Sequence, residues 1–448
     1  MAARGEGAAA RCGAANGGLR RKWHVETDSR VTLDTRAASK PALKRALSLS
    51  HATLYGLGVT IGAGIYVLIG AAASRAGMYA PLAFIGAAML MGLSGASFAE
   101  LAGRLPVAAG EAAYVRKAFD SRRLATAVGL LVVGIAIVSA AAISIGSAGY
   151  LRVFIALPQP LLVIAIVLAM GLVAAWGVRE SVSFAAAMTL IEIAGLVVLI
   201  AAGATSGPEL IIRLPEVIPP LDDRSVLAGI MGTALLAVFA FIGFEGLANI
   251  AEEVREPHRT LPRAIFLTLV ISTALYVLVV WVALVTVPHD ELTRSAAPLA
   301  LVFERLTGAS PRTMGGIALV ATLNGIIVQI IMSSRVLYGL AQQGDLPAVF
   351  ANVHQVTRTP MFATVVTTVL ILVLALAFPL HQLADFTSRL TLIVFAAVNL
   401  SLIRIKARSP DATAGVYVAP GWVPWAGFAS CVALLAGDLA LILGAGRS

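Results

Sequence analysis

The chain has 448 residues, 59% of them hydrophobic and only 13% charged, with a mean hydropathy of +0.90. No soluble domain needs so much apolar residue, and continuous apolar runs are not the weak alternation of a membrane strand barrel. The class is a polytopic helical membrane protein. Its net charge of +9 suits lysine and arginine gathered on the cytoplasmic side of a membrane and gives no reason to invoke nucleic acid.

Residues 1–44 are rich in Ala, Gly and Arg, with Arg20, Arg21 and Lys22 adjacent. Such a segment cannot bury a core and reads as a flexible cytoplasmic tail. It lacks the charged, then apolar, then small order of a cleavable signal, so no cleaved leader is expected. The two cysteines, Cys12 and Cys431, lie at opposite ends and support neither a disulfide framework nor a metal cluster.

The first apolar stretch, 49–73, is long enough to cross a bilayer as a helix, which takes about twenty residues. Its middle carries Gly56, Gly58, Gly62 and Gly64, with Thr60 between. Each interior glycine costs a helix about 1 kcal/mol against alanine. Gly58 and Gly62 form a GxxxG, which packs helices closely. Four glycines so near one another also suit a helix that comes apart at membrane depth. Freed N–H and C=O groups are tolerated there only where protein or a watery cavity covers them. Further apolar runs follow near 80–103, 124–150, 161–178, 183–203, 226–250, 262–287, 313–340, 361–379, 386–404 and 422–443, giving eleven to twelve spans. Arg116, Lys117, Arg122 and Arg123, then Arg255, Arg259 and Arg263, then Arg404, Lys406 and Arg408 fall in the expected cytoplasmic loops.

The sixth run contains FAFIGFEG, a second glycine-bearing interruption with a charge beside it. Paired interrupted helices in corresponding places of two halves point to a transporter's binding site. The expected layout is a tail at 1–44, five-helix repeats at 45–205 and 206–408, and a C-terminal helix or helices at 409–448. An odd number of spans per repeat makes the second inverted relative to the first.

Several motifs carry a family resemblance. GVTIGAGI at 58–65, ELAGRLPVAAGEAAYV at 100–115, FAFIGFEGLANIAEEVREPHRTLPRAI at 239–265 and SSRVLYGLAQQGDLP at 333–347 are similar to those of the amino acid–polyamine–organocation (APC) permeases. The resemblance implies a LeuT-type fold with broken helices 1 and 6, and transport of amino acids or related amines by alternating access. Departures are Ala63 where relatives often have Ser or Thr, AAGEAAY in place of a double-glycine pattern, and no room for a twelfth helix after Leu443.

A zwitterion needs an anion site beside a cation site. A broken helix has both, since one half presents free N–H groups and a partial positive charge and the other presents free carbonyls. By resemblance, the amides around Gly62, Ala63 and Gly64 take the carboxylate. The carbonyls of Thr60, Phe239, Ala240 and Ile242 take the ammonium, with Ile61 in the same binding stretch. Phe239 and Phe241 either wall a side-chain pocket or gate it, or pack as core.

Glu192 sits within TLIEIAGLVVLIAAG on the fifth span. A carboxylate at mid-bilayer costs about 2.5–3.5 kcal/mol, so it should face the bundle or water. It can carry a proton, pair with a cationic substrate, hold a sodium ion, or simply bond between helices. Glu245 either caps the second half-helix or gates the site. Glu100, Glu252 and Glu253 read as partners of Arg104, Arg255 or Arg335 at cytoplasmic ends, in ordinary surface pairs or, as the alternative, in a closed inner gate. Asn324, Gln329 and Asp438 read as inter-helix hydrogen-bonding groups.

Neither metal-ligand spacing among the histidines nor a nucleophile motif appears, so no enzyme, metal or cofactor beyond a coupling proton or sodium ion is expected. The expected function is secondary active amino acid transport, by proton coupling or exchange, in the plasma (inner) membrane with the N-terminus cytoplasmic. A polyamine or cationic amino acid carrier of the same fold is the alternative, and a non-transporting solute sensor a further one.

Overall fold

A computed structural model describes residues 47–445 apart from 63, 107–109, 178–181, 206, 221, 252 and 410–414. The tail at 1–44, Ala63 and Glu252 therefore lie outside the described residues. Sixteen α-helices follow in order: α1 (Leu49–Ile61), α2 (Gly64–Ala76), α3 (Ala80–Arg104), α4 (Gly110–Phe119), α5 (Arg122–Leu151), α6 (Gln159–Trp176), α7 (Val182–Thr205) and α8 (Glu209–Ile212). Then come α9 (Arg224–Phe241), α10 (Pro257–Thr286), α11 (His289–Arg294), α12 (Pro298–Thr307), α13 (Pro311–Gln342), α14 (Met361–Ala377), α15 (Leu380–Arg408) and α16 (Trp422–Ala445).

Among the described residues, nine helices are long and apolar enough to cross a membrane, counting α2 and α3 as one run. At 17 residues, α14 falls just short. With α1 and α2 taken as two halves of one crossing, separate from α3, and α14 counted as well, eleven segments among the described residues are candidates to cross: α1/α2, α3, α5, α6, α7, α9, α10, α13, α14, α15 and α16. The protein is an all-α, multi-pass membrane protein. Large apolar side chains such as Leu172, Trp176, Val198, Val369, Trp425 and Leu443 stay exposed on α6, α7, α14 and α16, which is where lipid replaces water.

Helix packing follows a two-fold pattern. α1 lies on α10 as α9 lies on α3; α1 lies on α7 as α9 lies on α15; α5 packs on α14 as α13 packs on α6. The pairs α3 with α10, α5 with α13, and α6 with α14 pack on each other. Exchanging the crossing α1/α2 with α9, and each of the next four crossings with its later counterpart, therefore leaves the contacts in place. The crossings α1/α2 and α9 lie against each other and are flanked by α3, α7, α10 and α15.

On the side bearing the basic loops, the ends are tied down. Leu47 N donates to Glu253 O (3.0 Å) and Arg255 N to Leu47 O (2.9 Å), so the chain entering α1 is paired with the chain entering α10. Glu100 is not a surface partner, as the sequence suggested; it is fully buried. Its carboxylate receives Arg104 Nε (2.9 Å), Lys406 Nζ (2.9 Å) and Ala419 N (2.8 Å). The cause is the chain after α15, which folds back over α3 and covers what would be an exposed helix end. Asp438 bonds between helices as the sequence suggested, taking Arg389 Nε at 2.7 Å across α15 and α16.

Candidate functional site

Two helices break side by side. The first ends at Ile61, with Gly62 N still reaching Gly58 O at 3.3 Å, and α2 restarts at Gly64. The second ends at Phe241; Ile242 turns extended, and Gly243 takes φ 135°, a conformation that side-chain-bearing residues rarely adopt. The chain continues as a 3-10 helix over Phe244–Ile250, not as the α-helical half the sequence suggested. Glu245 Oε2 accepts Gly243 N at 2.8 Å where this turn begins.

The two breaks interlock through their glycines. A Cβ on Gly64 would lie 2.4 Å from Ala240 Cα, and one on Gly243 would lie 2.7 Å from the Val59 carbonyl carbon. Each gap thus admits the other helix's main chain, which only glycine allows. Tyr276 of α10 reaches both: its hydroxyl lies 2.8 Å from Thr60 O and 2.9 Å from Ala240 O.

Beside the breaks is a cavity of about 20 Å³, room for about one water. Gly58, Val59, Thr60 and Gly64 line it from span one, Phe239 and Ile242 from span six, Ser139 and Ile143 from α5, and Asn324, Gly325, Val328 and Gln329 from α13. None of these residues is charged. Of the residues singled out from the sequence, Thr60, Gly64, Phe239 and Ile242 therefore meet at one cavity. Ile61 and Ala240 are buried behind it. Phe241 does not reach it; its ring packs on Tyr276 with centroids 5.1 Å apart.

Asn324 and Gln329, read from the sequence as helix-bonding groups, both face this cavity, and Gln329 Oε1 is buried without a hydrogen-bond partner among the described residues. Ser139 and Tyr276 were not singled out beforehand. A hydroxyl in the apolar run ISTALYVLVV is the one signal that could have flagged Tyr276.

Glu192 is fully buried on α7. Its Oε2 would lie 3.5 Å from a Cβ on Gly62, so the carboxyl faces the first break. Asn324 lies beside it, yet neither carboxyl oxygen has a hydrogen-bond partner among the described residues. The Glu192 carbonyl is held by Tyr66 Oη at 2.8 Å, and the Tyr66 carbonyl in turn by Tyr150 Oη at 2.5 Å.

A second, larger cavity of about 470 Å³ lies over the far end of α2, lined among others by Ser74, Arg75, Tyr150, Gln159 and His381. Arg75 crosses it to grip Asp385 with two bonds of 2.8 and 2.7 Å and also donates to Gly232 O. It thereby ties α2 to α9 and α15.

Interrupted helices beside one cavity, in a multi-pass helical membrane protein, are the arrangement of a membrane transporter. The amino acid permease family matches residues 47–445. The chain is similar to the branched-chain amino acid permease BcaP of Bacillus subtilis, at 27% identity over 414 residues covering 86% of this chain and 87% of the relative. It is also similar to the vacuolar cationic amino acid transporter 2 of Arabidopsis thaliana, at 28% identity over 82% of this chain and 61% of that longer protein. An uncharacterized transporter of Mycobacterium bovis shares 30% identity over 81% of each chain. The chain belongs to the amino acid permease family, within the APC superfamily, and is an amino acid transporter and not an enzyme.

Proposed function

We propose that the protein carries a neutral amino acid across the plasma (inner) membrane by alternating access, with its N-terminus cytoplasmic. The observation that carries this reading is the pair of interlocked breaks opening onto one uncharged cavity. Gly62, Ala63 and Gly64 receive the carboxylate at the start of α2, where free N–H groups and the helix dipole favour an anion. The carbonyls of Thr60 and Ala240, with those of Phe239 and Ile242, receive the ammonium. The side chain then lies among Ile143, Phe239, Val328, Ser139 and Gln329. A cationic side chain would find no carboxylate there, and burying an unpaired charge is costly. We read the two-fold packing as two five-helix repeats of opposite direction that rock about this site. A cavity of one water's size must widen to load, so the described state corresponds to the closed point of the cycle.

Glu192 favours coupling to a proton or another cation, because its buried carboxyl, beside the first break and with only Asn324 close by among the described residues, can gain a partner as the helices move. The same group gives the cationic-substrate reading its one point of support. Reconstituted protein offered labelled alanine, leucine, arginine and putrescine under imposed pH and sodium gradients separates these. Accumulation of alanine or leucine is expected. Uptake of arginine or putrescine alone would refute the neutral assignment, and binding without accumulation would indicate a sensor. Glu192→Gln is expected to change the pH dependence of uptake, and an identical profile would remove Glu192 from coupling.

A further inference from the structure

Thr60 O and Ala240 O are left over by the two breaks. In an unbroken helix each would accept the N–H four residues on, which for these two belongs to Gly64 and Phe244, both beyond the interruptions. At membrane depth no bulk water is present to replace those donors, and an unsatisfied carbonyl is costly. The only side-chain donor the structure gives either carbonyl among the described residues is the hydroxyl of Tyr276. That hydroxyl carries one hydrogen. It serves one carbonyl at a time.

We infer that Tyr276 is a positioning residue that stands in for the substrate's ammonium while the carrier is empty, an inference that rests on the amino acid reading above. Two oxygens that both lie within 2.9 Å of one hydroxyl are close enough to be bridged by one ammonium as well. An ammonium brings three N–H donors and satisfies both carbonyls together, which the phenol cannot. Thr60 lines the central cavity and Tyr276 does not, so the substrate approaches from the cavity side while the phenol stays behind. The ring is fixed by Phe241, at 5.1 Å, and by the edge-on ring of Phe84, at 6.2 Å. The empty carrier consequently depends on Tyr276 more than the loaded carrier does. Net uptake requires the empty carrier to reorient, whereas exchange keeps the site loaded at each crossing.

The test compares Tyr276→Phe with the unaltered protein in liposomes, using labelled alanine. Net uptake into unloaded liposomes should fall about tenfold, the loss expected for one buried unpaired carbonyl. Exchange into alanine-loaded liposomes should fall much less. Because the readout is the ratio of the two rates, it does not depend on how much variant folds. Thr307→Val, which removes a hydroxyl from the Phe303 carbonyl at the end of α12, should leave that ratio unchanged. Thermal melting gives a second measurement, in which Tyr276→Phe lowers Tm without alanine and lowers it less with saturating alanine. An equal fall in both transport modes, no fall in either, or a Tm loss unaffected by alanine would overturn the role of Tyr276 alone. Failure of the unaltered protein to move or bind any amino acid would overturn the underlying reading as well.

Discussion

Replacing Gly64 by alanine adds a single methyl at the point where the broken helices touch. On the present backbone that carbon lies 2.4 Å from Ala240 Cα, 3.0 Å from Ala240 Cβ and 3.3 Å from the Ala240 carbonyl carbon. Carbon atoms settle at about 3.5–4.0 Å, so α2 and α9 must part by about 1 Å. Two of the three opposing atoms are main chain and the third is a β-carbon, so no rotamer change relieves the strain. Overpacking of this kind costs about 1–3 kcal/mol. The displacement also moves Ala240 O relative to Thr60 O, and one hydroxyl can no longer reach both. Uptake of alanine by equal amounts of reconstituted protein should therefore fall by about tenfold or more, with membrane insertion unaffected. Gly86→Ala is the control: nothing lies within 4 Å of its added carbon, and helix propensity gains about 1 kcal/mol. Gly64→Ala transporting at the unaltered rate with an unchanged KM would refute the claim that α2 and α9 together cradle the solute.

Two charge networks give further expectations. Glu100→Ala leaves Arg104 and Lys406 without their buried carboxylate and should destabilise the protein by about 3–5 kcal/mol; a melting temperature in detergent equal to the unaltered protein's would contradict the contact. For Arg75 and Asp385, whose side chains keep 24% and 13% exposure, removing either should cost less than a fully buried pair but more than the about 0–1 kcal/mol of a surface pair. The reciprocal exchange Arg75→Asp with Asp385→Arg should recover part of that stability, and single changes without effect on melting would show that the latch contributes nothing.

The breaks were legible because glycine is costly in a helix interior, and a cluster of four at mid-span, matched by FAFIGFEG, has few structural uses. What faces each break was not legible. Tyr276 and Thr60 are 216 residues apart, and a mid-span tyrosine carries no mark of the carbonyls it will meet. Glu100 and Arg104 are visibly one helical turn apart, but Lys406 and Ala419 reach the same carboxylate from the other end of the chain. A fully buried ion network was therefore mistaken for a surface pair. Asn324 and Gln329 show the same limit in another form. Hydropathy places them within the bilayer, but only the rotation of α13 decides whether an amide meets a neighbouring helix or a cavity. The 3-10 form of the segment after Gly243 depends likewise on how closely α1 lies against it.

Neither break could persist alone. An interruption in one helix frees carbonyls that lipid cannot satisfy and opens a gap that would otherwise stand empty. Here the gap at Gly64 is filled by Ala240 and the gap at Gly243 by Val59 and Thr60, while one tyrosine serves a carbonyl from each. Two interruptions, each unfavourable, are thus made tolerable by one another. A substrate that bridges the same two carbonyls acts on both helices at once. Loading at this point, as proposed above, would alter the packing of α1/α2 against α9, and with it the crossings α3, α7, α10 and α15 that hold them. That coupling would let a molecule with two charges and no large surface bias the position of helices tens of ångströms long.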